Sequence, residues 1–455
     1  MRDFPVEILI KVFDHIPRSG KLQCALVCKA WCATALSVLN STIHLRNTDD
    51  TIILFAKLCQ INSSIQGTSI RHLSLSHNSR INEARVNRVV FIRILSECTN
   101  LRTLEFKDVT FDLTHLEHMI KYRDALHLDH LQCIKTQYSN SNSYILVNWY
   151  YYQRINQLYL FVSDSTFYRF EFTHDLNMYL SHFEALKTLS LKFSCTIYIH
   201  SLLLACPRLE SLQLVLASSS SHLKIYDDKS TTQHSNISFQ LKYLDMSAHH
   251  INQGLFEYLH DKASNLFQLI VNHGAFENSA AIDNAFNTAL VVDTVLPIKR
   301  IIFEDKFDVS PNVILGLNEN FRNLRVIDFR KCDFNRVVDT NSNLSVNFGE
   351  LKLDYLSIDF TTILSFNTQV NSMSLAIQNH GHDKTVFYSR TSKWSGAHSF
   401  TRNDTTRYAS PTAQRNRIRS AKTSVITIKV QSLHQLHMHG EGNYRKTFSQ
   451  IISLE

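Results

Sequence analysis

A six-residue pattern recurs along most of the chain and constrains its fold more than any other feature. Apolar residues occupy its first, fourth and sixth positions, as in Leu101-x-x-Leu104-x-Phe106. Two weaker copies begin at Val370 and Leu433, and Ile43-x-Leu45 is a candidate capping strand. Eleven clear copies, spaced 23–32 residues apart, begin at Ile70, Leu101, Leu128, Ile155, Leu186, Leu209, Leu241, Leu266, Ile298, Leu324 and Leu353. Apolar residues two apart indicate a strand with one buried face.

A helical stripe of apolar residues precedes many of these strands. The stripes include Phe91, Leu95 and Cys98; Leu176, Leu180 and Phe183; Ile199, Leu203 and Cys206; and Ile314, Leu317 and Phe321. The repeating unit is therefore a helix, a short connection and a strand. One such unit cannot bury its apolar faces alone, but stacked units can. We predict an α/β fold class, with stacked repeats over residues 43–379 and a further repeat or cap over 425–455.

The first forty residues differ from the repeats. Leu9, Val12, Phe13 and Ile16 form one helical stripe. A second helix is predicted over 22–35, with Cys24, Val27, Cys28, Trp31 and Ala35 on one face and Leu22, Ala25, Leu26 and Ala33 on another. Short helices that are apolar on more than one face need a neighbour or a partner to cover them.

The strings Phe4-Pro5-x-Glu7-Ile8-Leu9-x-x-Val12-Phe13-x-x-Ile16 and Leu22-x-Cys24-x-x-Val27-Cys28-Lys29-x-Trp31 resemble the F-box family. The resemblance implies a three-helix module over residues 1–42. It also implies docking on a Skp-family adaptor and, through it, a cullin–RING ubiquitin ligase. The candidate adaptor contacts or module core residues are Pro5, Ile8, Leu9, Val12, Phe13, Leu22, Val27, Cys28 and Trp31.

The repeats resemble the leucine-rich-repeat family, and Cys206-Pro-x-Leu209-x-x-Leu212-x-Leu214 is similar to its cysteine-containing subtype. This resemblance implies a horseshoe-shaped solenoid whose strand residues between the buried leucines line a concave face. That face is where a target protein would lie. The candidate target-binding residues are Glu105, Lys107, Lys192, Gln213, Tyr243, Asp245, Gln268, Asn272, Asp328, Arg330, Tyr355 and Asp359.

The formal charge of +7 arises from one segment. Residues 384–422 contain nine Lys and Arg residues and one acid, Asp404, so the rest of the chain is close to neutral. The surrounding stretch, 380–424, is rich in Ser, Thr, Asn and Arg. It is predicted to be a flexible insertion. Three interpretations stay open for it: a tolerated insertion without a partner, an arm for RNA or another anionic partner, and a phosphorylation-controlled loop.

Motifs for chemistry or ligand binding are weak. Gly440–Thr447 lacks the Gly that a P-loop needs before Lys446. Cys24, Cys28 and Cys32 fit small apolar residues of a helix better than a metal site. We therefore expect no metal, no cofactor and no catalysis. Nine cysteines in an odd set favour a reducing cytoplasmic or nuclear location. No apolar run is long enough to span a membrane.

Two functions follow from these patterns. The first is the substrate-recognition subunit of an SCF (Skp–cullin–F-box) ubiquitin ligase, in which the N-terminal module binds the adaptor and the repeats bind the target. The second is a non-degradative repeat scaffold whose basic segment, residues 384–422, binds RNA or an anionic partner.

Overall fold

A computed structural model provides the structure of the protein. It describes residues 4–46, 48–60, 63, 65–76, 87–107, 113–136, 139–163, 166, 175–218, 221–226, 238–272, 297–304, 307–334, 336–338, 344–359, 372–379, 384–391, 401–402, 423–441 and 447–453. The chain divides into two compact units. Unit 1 comprises residues 1–192 and 204–209, and unit 2 comprises residues 193–203 and 210–455.

Three short helices open unit 1. They are α1 (Val6–His15), α2 (Arg18–Ala25) and α3 (Lys29–Leu39). Leu9 and Phe13 of α1 pack with Ala35 and Val38 of α3, and all four side chains are buried. Because α3 contacts both α1 and α2, it is the element that joins the module.

Strands and helices alternate through the rest of unit 1. The strands are β1 (Thr42–Leu45), β2 (His72–Leu75), β3 (Thr103–Phe106), β4 (Cys133–Thr136), β5 (Gln157–Val162) and β6 (Thr188–Phe193). The helices are α4 (Thr48–Leu58), α5 (Arg88–Glu97), α6 (Leu113–Lys121), α7 (Asn142–Tyr150) and α8 (Leu176–Leu180). The strands are neighbours in chain order, and β1 to β5 pair in parallel. Each helix from α4 to α7 contacts the next. This is the arrangement that a repeated helix–strand unit predicts.

The strand register confirms most of the sequence pattern in unit 1. Ile43 pairs with Leu73, and Leu73 pairs with Leu104, so equivalent pattern positions lie side by side. The predicted alignment of the third copy, which begins at Leu128, is wrong by three residues, because Leu104 pairs with Ile134 and not with Leu131. Leu128, Leu131 and Ile134 are all buried and three residues apart, so the sequence alone offers two alignments.

Side-chain caps explain where several helices begin. Asn87 accepts a hydrogen bond from the Val89 amide, and Ser141 accepts one from the Tyr144 amide. Asp175 does the same for α8. Such caps satisfy amide groups that the first helical turn leaves without partners. Several repeats therefore carry their own helix-start signal in the polar residue before the helix.

Unit 2 continues the alternation with a longer run of strands. The strands that continue the repeats are called main-sheet strands, as are β1 to β6. In unit 2 they are β8 (Ser211–Leu216), β10 (Tyr243–Ser247), β11 (Gln268–Asn272), β12 (Arg300–Glu304), β13 (Val326–Phe329), β15 (Lys352–Asp359), β20 (Ser432–Glu441) and β21 (Thr447–Ser453). Its helices include α10 (Gln253–Lys262) and α11 (Pro311–Asn320), and α9 (Ile199–Ala205) lies where the chain passes between the units. Leu244 pairs with Leu269, which pairs with Ile301. The weaker copy at Leu433 is confirmed, since Leu353 pairs with Leu433.

A second sheet in unit 2 was not predicted. It consists of β14 (Leu344–Asn347), β16 (Ser372–Asn379), β17 (Lys384–Thr391), β18 (Thr401–Arg402) and β19 (Thr423–Val430), in the order β14-β19-β16-β17-β18. A further pair of short strands, β7 (Thr196–Tyr198) and β9 (His222–Lys224), lies apart from both sheets. Helix α11 contacts β14, which lies between β13 and β15 in the chain. A strand therefore packs against α11 at the point where the repeating unit would have a helix.

The second sheet corrects the prediction for the weaker copy at Val370 and places strands in part of the insertion predicted over 380–424. Met373 and Leu375 of the weaker copy at Val370 lie on β16 and not on a main-sheet strand, while Val370 lies outside the described residues. The flexible insertion predicted over 380–424 contains β17, which pairs antiparallel with β16, and β18. Alternating side chains in Lys384–Thr391 suit a strand, although the polar composition obscures the pattern. Six of the nine basic residues of 384–422 lie outside the described residues.

No helix in the described part of the chain is long and apolar enough to cross a membrane.

Acid is expected to destabilise unit 2 through His250. Its ring stacks on Phe193, and its buried Nε2 has no hydrogen-bond partner among the described residues. Burial, with His249 and His222 nearby, lowers its pKa to about 4. The unfolded chain takes up the proton near pH 6.5 and the folded chain does not, so stability falls as the pH drops from about 6.5 to 4. We expect a loss of about 2 kcal/mol between pH 7.5 and pH 5.

Native-state hydrogen exchange of residues 243–262 at the two pH values measures this loss. The variant His250→Phe keeps an aromatic ring on Phe193 and removes the titrating group. It should lose much less stability on acidification. An equal loss in the variant would show that another group causes the effect.

Candidate adaptor-binding site

Helix α1 divides its apolar residues between two faces. Leu9 and Phe13 point into the module core and are buried. Ile8 and Val12, four residues apart, keep 46% and 48% of their surface exposed. Residues four apart share one face of a helix, so Ile8 and Val12 form an exposed apolar ridge. Pro5, at the start of the helix, is exposed as well.

Trp31 joins the core to the surface. Its ring meets the Phe13 ring edge-on, with the ring centroids 5.7 Å apart. It is half-buried and packs against the core cluster. Edge-to-face aromatic pairs of this kind stabilise packing beyond the area they bury. Trp31 therefore holds α1 against α3 and leaves part of its ring at the surface.

Helix α2 and the turn after it carry the second exposed apolar group. Leu22, Leu26 and Val27 keep 48%, 87% and 58% of their surface exposed. Cys28 is exposed as well. Leu26 is the most exposed of these large apolar residues, and the sequence analysis assigned it only to a helix face. Its exposure arises because α2 ends at Ala25 and Leu26 lies in the turn.

The single helix predicted over residues 22–35 is wrong. The chain ends α2 at Ala25 and starts α3 at Lys29. The amides of Leu26 and Val27 bond to carbonyls only three residues back, which is a turn and not a continuing α-helix. Cys24, Cys28 and Cys32 consequently do not share one helix. Among the described residues, no cluster of three His, Cys, Asp or Glu side chains could hold a metal ion.

The nine predicted adaptor residues thus fall into three groups. Leu9 and Phe13 are core residues, and Trp31 lies at the boundary. The other six are exposed: Pro5, Ile8, Val12, Leu22, Val27 and Cys28. Phe4 and Val6, which the sequence analysis did not select, add to this surface because they are exposed beside the start of α1. The module therefore has a small core of its own and an apolar outside.

Comparison with protein families matches residues 1–45 to the F-box-like family. The N-terminus is an F-box-like domain. A chain of the crystal structure of the Rad7–Elc1 complex from yeast is 12% identical, with a TM-score of 0.38, over 78% of this chain and 88% of that chain. That structure is too dissimilar for a conclusion about this chain. A search of curated proteins finds no match. The exposed residues above therefore belong to an F-box-like domain, and the leucine-rich-repeat assignment stays a prediction.

The predicted target-binding residues lie at or beside the outward faces of main-sheet strands. In unit 2, Asp245 accepts hydrogen bonds from Gln213 at 2.6 Å and from Asn272 at 2.8 Å. Tyr355 and His437 are joined by a hydrogen bond of 2.8 Å between the phenol oxygen and Nδ1. Tyr243 and Gln268 are at least partly exposed on neighbouring strands. These side chains form polar rows that run across the strands.

Two of these target-binding candidates are buried. Arg330 donates a hydrogen bond from Nε to Asp328 at 2.7 Å, and its Nη1 lies 2.8 Å from Oε1 of Glu304. Asp359 accepts a hydrogen bond from the backbone amide of Lys331, a residue in the left-handed region at φ 54°. Because both carboxylates are buried and partnered, they hold the turn after β13 in place. Arg330 is the exposed member of this group.

Glu105, Lys107 and Lys192 are the predicted target residues in unit 1. Glu105 lies 3.4 Å from Lys107 and 3.7 Å from His72. The structure adds three outward side chains that the sequence analysis missed: Lys135, Tyr159 and Phe161. Lys135 was hidden by the misaligned third copy, since its outward position follows only from the pairing of Leu104 with Ile134.

Proposed function

We propose that the chain is the substrate-recognition subunit of an SCF ubiquitin ligase. In this proposal the F-box-like domain binds a Skp-family adaptor and, through it, the cullin. The repeats form a leucine-rich-repeat solenoid that binds the target. The chain carries out no chemistry itself and accelerates ubiquitin transfer by holding the target near the loaded enzyme. It acts in the cytoplasm, in the nucleus or in both.

The exposed apolar surface of the F-box-like domain is the observation that supports this proposal most. Ile8, Val12, Leu22, Leu26 and Val27 keep about half or more of their surface in water. Apolar residues concentrated on so small a module mark an interaction site. Covering the exposed half of each would contribute about 1 kcal/mol, or about 5 kcal/mol in all before the costs of association.

The target side of the proposal is supported by the strand faces. Their inward residues are apolar and in register, whereas their outward residues vary from strand to strand: the aligned outward row across β10 to β13 is Asp245, Ile270, Ile302 and Asp328. A regular scaffold with varied outward side chains is suited to recognising one surface among many.

The proposal is tested by purifying the tagged full-length chain from cells and identifying its partners by mass spectrometry. A Skp-family adaptor and a cullin should be retained in comparable amounts. The purification is carried out with and without a proteasome inhibitor. Proteins that are retained only when the proteasome is inhibited are the target candidates. If no Skp-family adaptor is retained, the proposal is wrong.

A further inference from the structure

The strands of unit 1 carry an unusual balance of charge. Their outward residues include Lys135 and Lys192, with Lys107 directly after β3. Glu105 is the one acid among the described residues of β1 to β6. Strands β10 to β13 and β15 of unit 2 have the opposite balance, with five acids against Arg300, Lys352 and Arg330, which directly follows β13. The excess of lysine is therefore a property of unit 1 and not of the repeat in general.

Two lysines of this surface lie over aromatic rings. Lys135 Nζ is 5.2 Å from the centre of the Tyr159 ring, and Lys192 Nζ is 5.9 Å from that of Phe161. Strand β5, which carries both rings, lies between β4 and β6, which carry the lysines. Within the described residues neither ammonium group is ion-paired. We call Lys107, Lys135, Lys192, Tyr159 and Phe161 the lysine–aromatic surface.

The acid within this surface does not neutralise it. Glu105 lies 3.4 Å from Lys107, pairs in register with Lys135 and lies near His72, so one carboxylate stands against three ammonium groups and the surface keeps an excess of two positive charges. Lys135 remains protonated at neutral pH. Burial opposes its charge, but Tyr159, Cys133 and Glu105 outweigh burial and raise its pKa.

The arrangement of the rings indicates which anion fits. Single-stranded nucleic acid binds by stacking bases on open aromatic faces beside basic groups. Here the rings of Tyr159 and Phe161 are half-buried, and an ammonium group lies over each. The rings therefore position the lysines more than they offer stacking platforms. Carboxylates, which need only the charge, suit this surface better.

The spacing favours an extended peptide over one compact anion. Lys107, Lys135 and Lys192 follow or lie on β3, β4 and β6, so the first pair is one strand spacing apart, about 5 Å, the second pair two, about 10 Å, and the outer pair three, about 14 Å. Alternate residues of an extended peptide are about 7 Å apart, so carboxylates at three alternate positions span about 13 Å. We propose that the lysine–aromatic surface binds an extended acidic peptide segment with carboxylates at alternate positions. Its role as a target contact rests on the proposed function, but the binding itself does not.

Binding of a fluorescein-labelled peptide of six Glu-Ser repeats to the full-length chain tests this proposal by fluorescence anisotropy. The wild type should bind it, bind the matching Gln-Ser peptide at least tenfold more weakly, and lose affinity as salt is raised. The double variant Lys135→Gln with Lys192→Gln should weaken binding roughly tenfold. Lys135→Arg with Lys192→Arg should keep it, because the charge is kept.

The matched control removes two lysines from unit 1 outside this surface. Lys57→Gln with Lys121→Gln, on α4 and α6, should bind like the wild type. No binding of the Glu-Ser peptide by the wild type, or an equal loss in this control, would overturn the proposal. Preferential binding of a twelve-nucleotide oligo(U) that depends on Lys135 and Lys192 would overturn it as well. Adaptor capture is measured on the same preparations, so a chain that binds the peptide but no adaptor refutes only the ligase proposal.

Discussion

Replacing Ile8 and Val12 together by Asp is expected to abolish capture of a Skp-family adaptor. Both side chains are half exposed on α1, so the free domain should tolerate the change with little loss of stability. In the proposed complex the same positions are covered by the adaptor. Each new carboxylate would then be buried without a partner, at a cost of several kcal/mol. We expect the affinity to fall at least 100-fold, measured by adaptor binding to the immobilised full-length chain.

The chain offers a matched control for this substitution. Ile52 and Ile53 on α4 are exposed to a similar degree and lie outside the F-box-like domain. Ile52→Asp with Ile53→Asp therefore introduces the same two charges in place of exposed β-branched apolar residues and should leave capture intact. Full capture by the Ile8 and Val12 variant, or an equal loss in the control, would contradict the assigned surface.

Replacing Phe13 by Ala is expected to unfold the F-box-like domain. The ring is buried in the core and packs edge-on against Trp31. Truncating a buried Phe costs about 3–5 kcal/mol. A module of about 40 residues has little stability to spare, so this loss should unfold it. Hydrogen exchange should show loss of protection in α1 to α3, with adaptor capture lost in parallel.

This second result separates a folding residue from a contact residue. The Ile8 and Val12 variant should keep the protection of α1 to α3 and lose the adaptor, whereas Phe13→Ala should lose both. Peptides from α5 and β3 serve as an internal control and should be unchanged in either variant. Retained protection in Phe13→Ala would mean that the core described around Leu9, Phe13 and Ala35 does not hold the module together. Leu9 belongs with Phe13, since it is buried, and its substitution tests folding too.

The main-sheet strands could be predicted well from the sequence because their signal is physical and repeated. A period-2 apolar pattern fixes which side chains face inward, and a slip of one residue would expose all of them. Consequently Leu244, Leu269 and Ile301 lie side by side, as the pattern requires. The apolar stripes before the strands likewise became α5, α8, α9 and α11.

The remaining features needed the structure because the sequence signal was ambiguous. Leu128, Leu131 and Ile134 permit two alignments, and the wrong one concealed Lys135. The stripe of Leu9, Val12, Phe13 and Ile16 is wider than the buried face, so it could not show that Val12 is exposed. The break after Ala25 has no Gly or Pro to mark it. The second sheet joins β14 to β19 across about 80 residues, and pairings over such distances leave no local pattern.

Reconstitution from purified components tests the central claim most directly. The full-length chain and a Skp-family adaptor are mixed, separated by size-exclusion chromatography and analysed by hydrogen exchange. We predict a one-to-one complex in which residues 4–28 gain protection and residues 88–107 do not change. Separate elution of the two proteins, or protection confined to other parts of the chain, would contradict the claim that this F-box-like domain binds the adaptor.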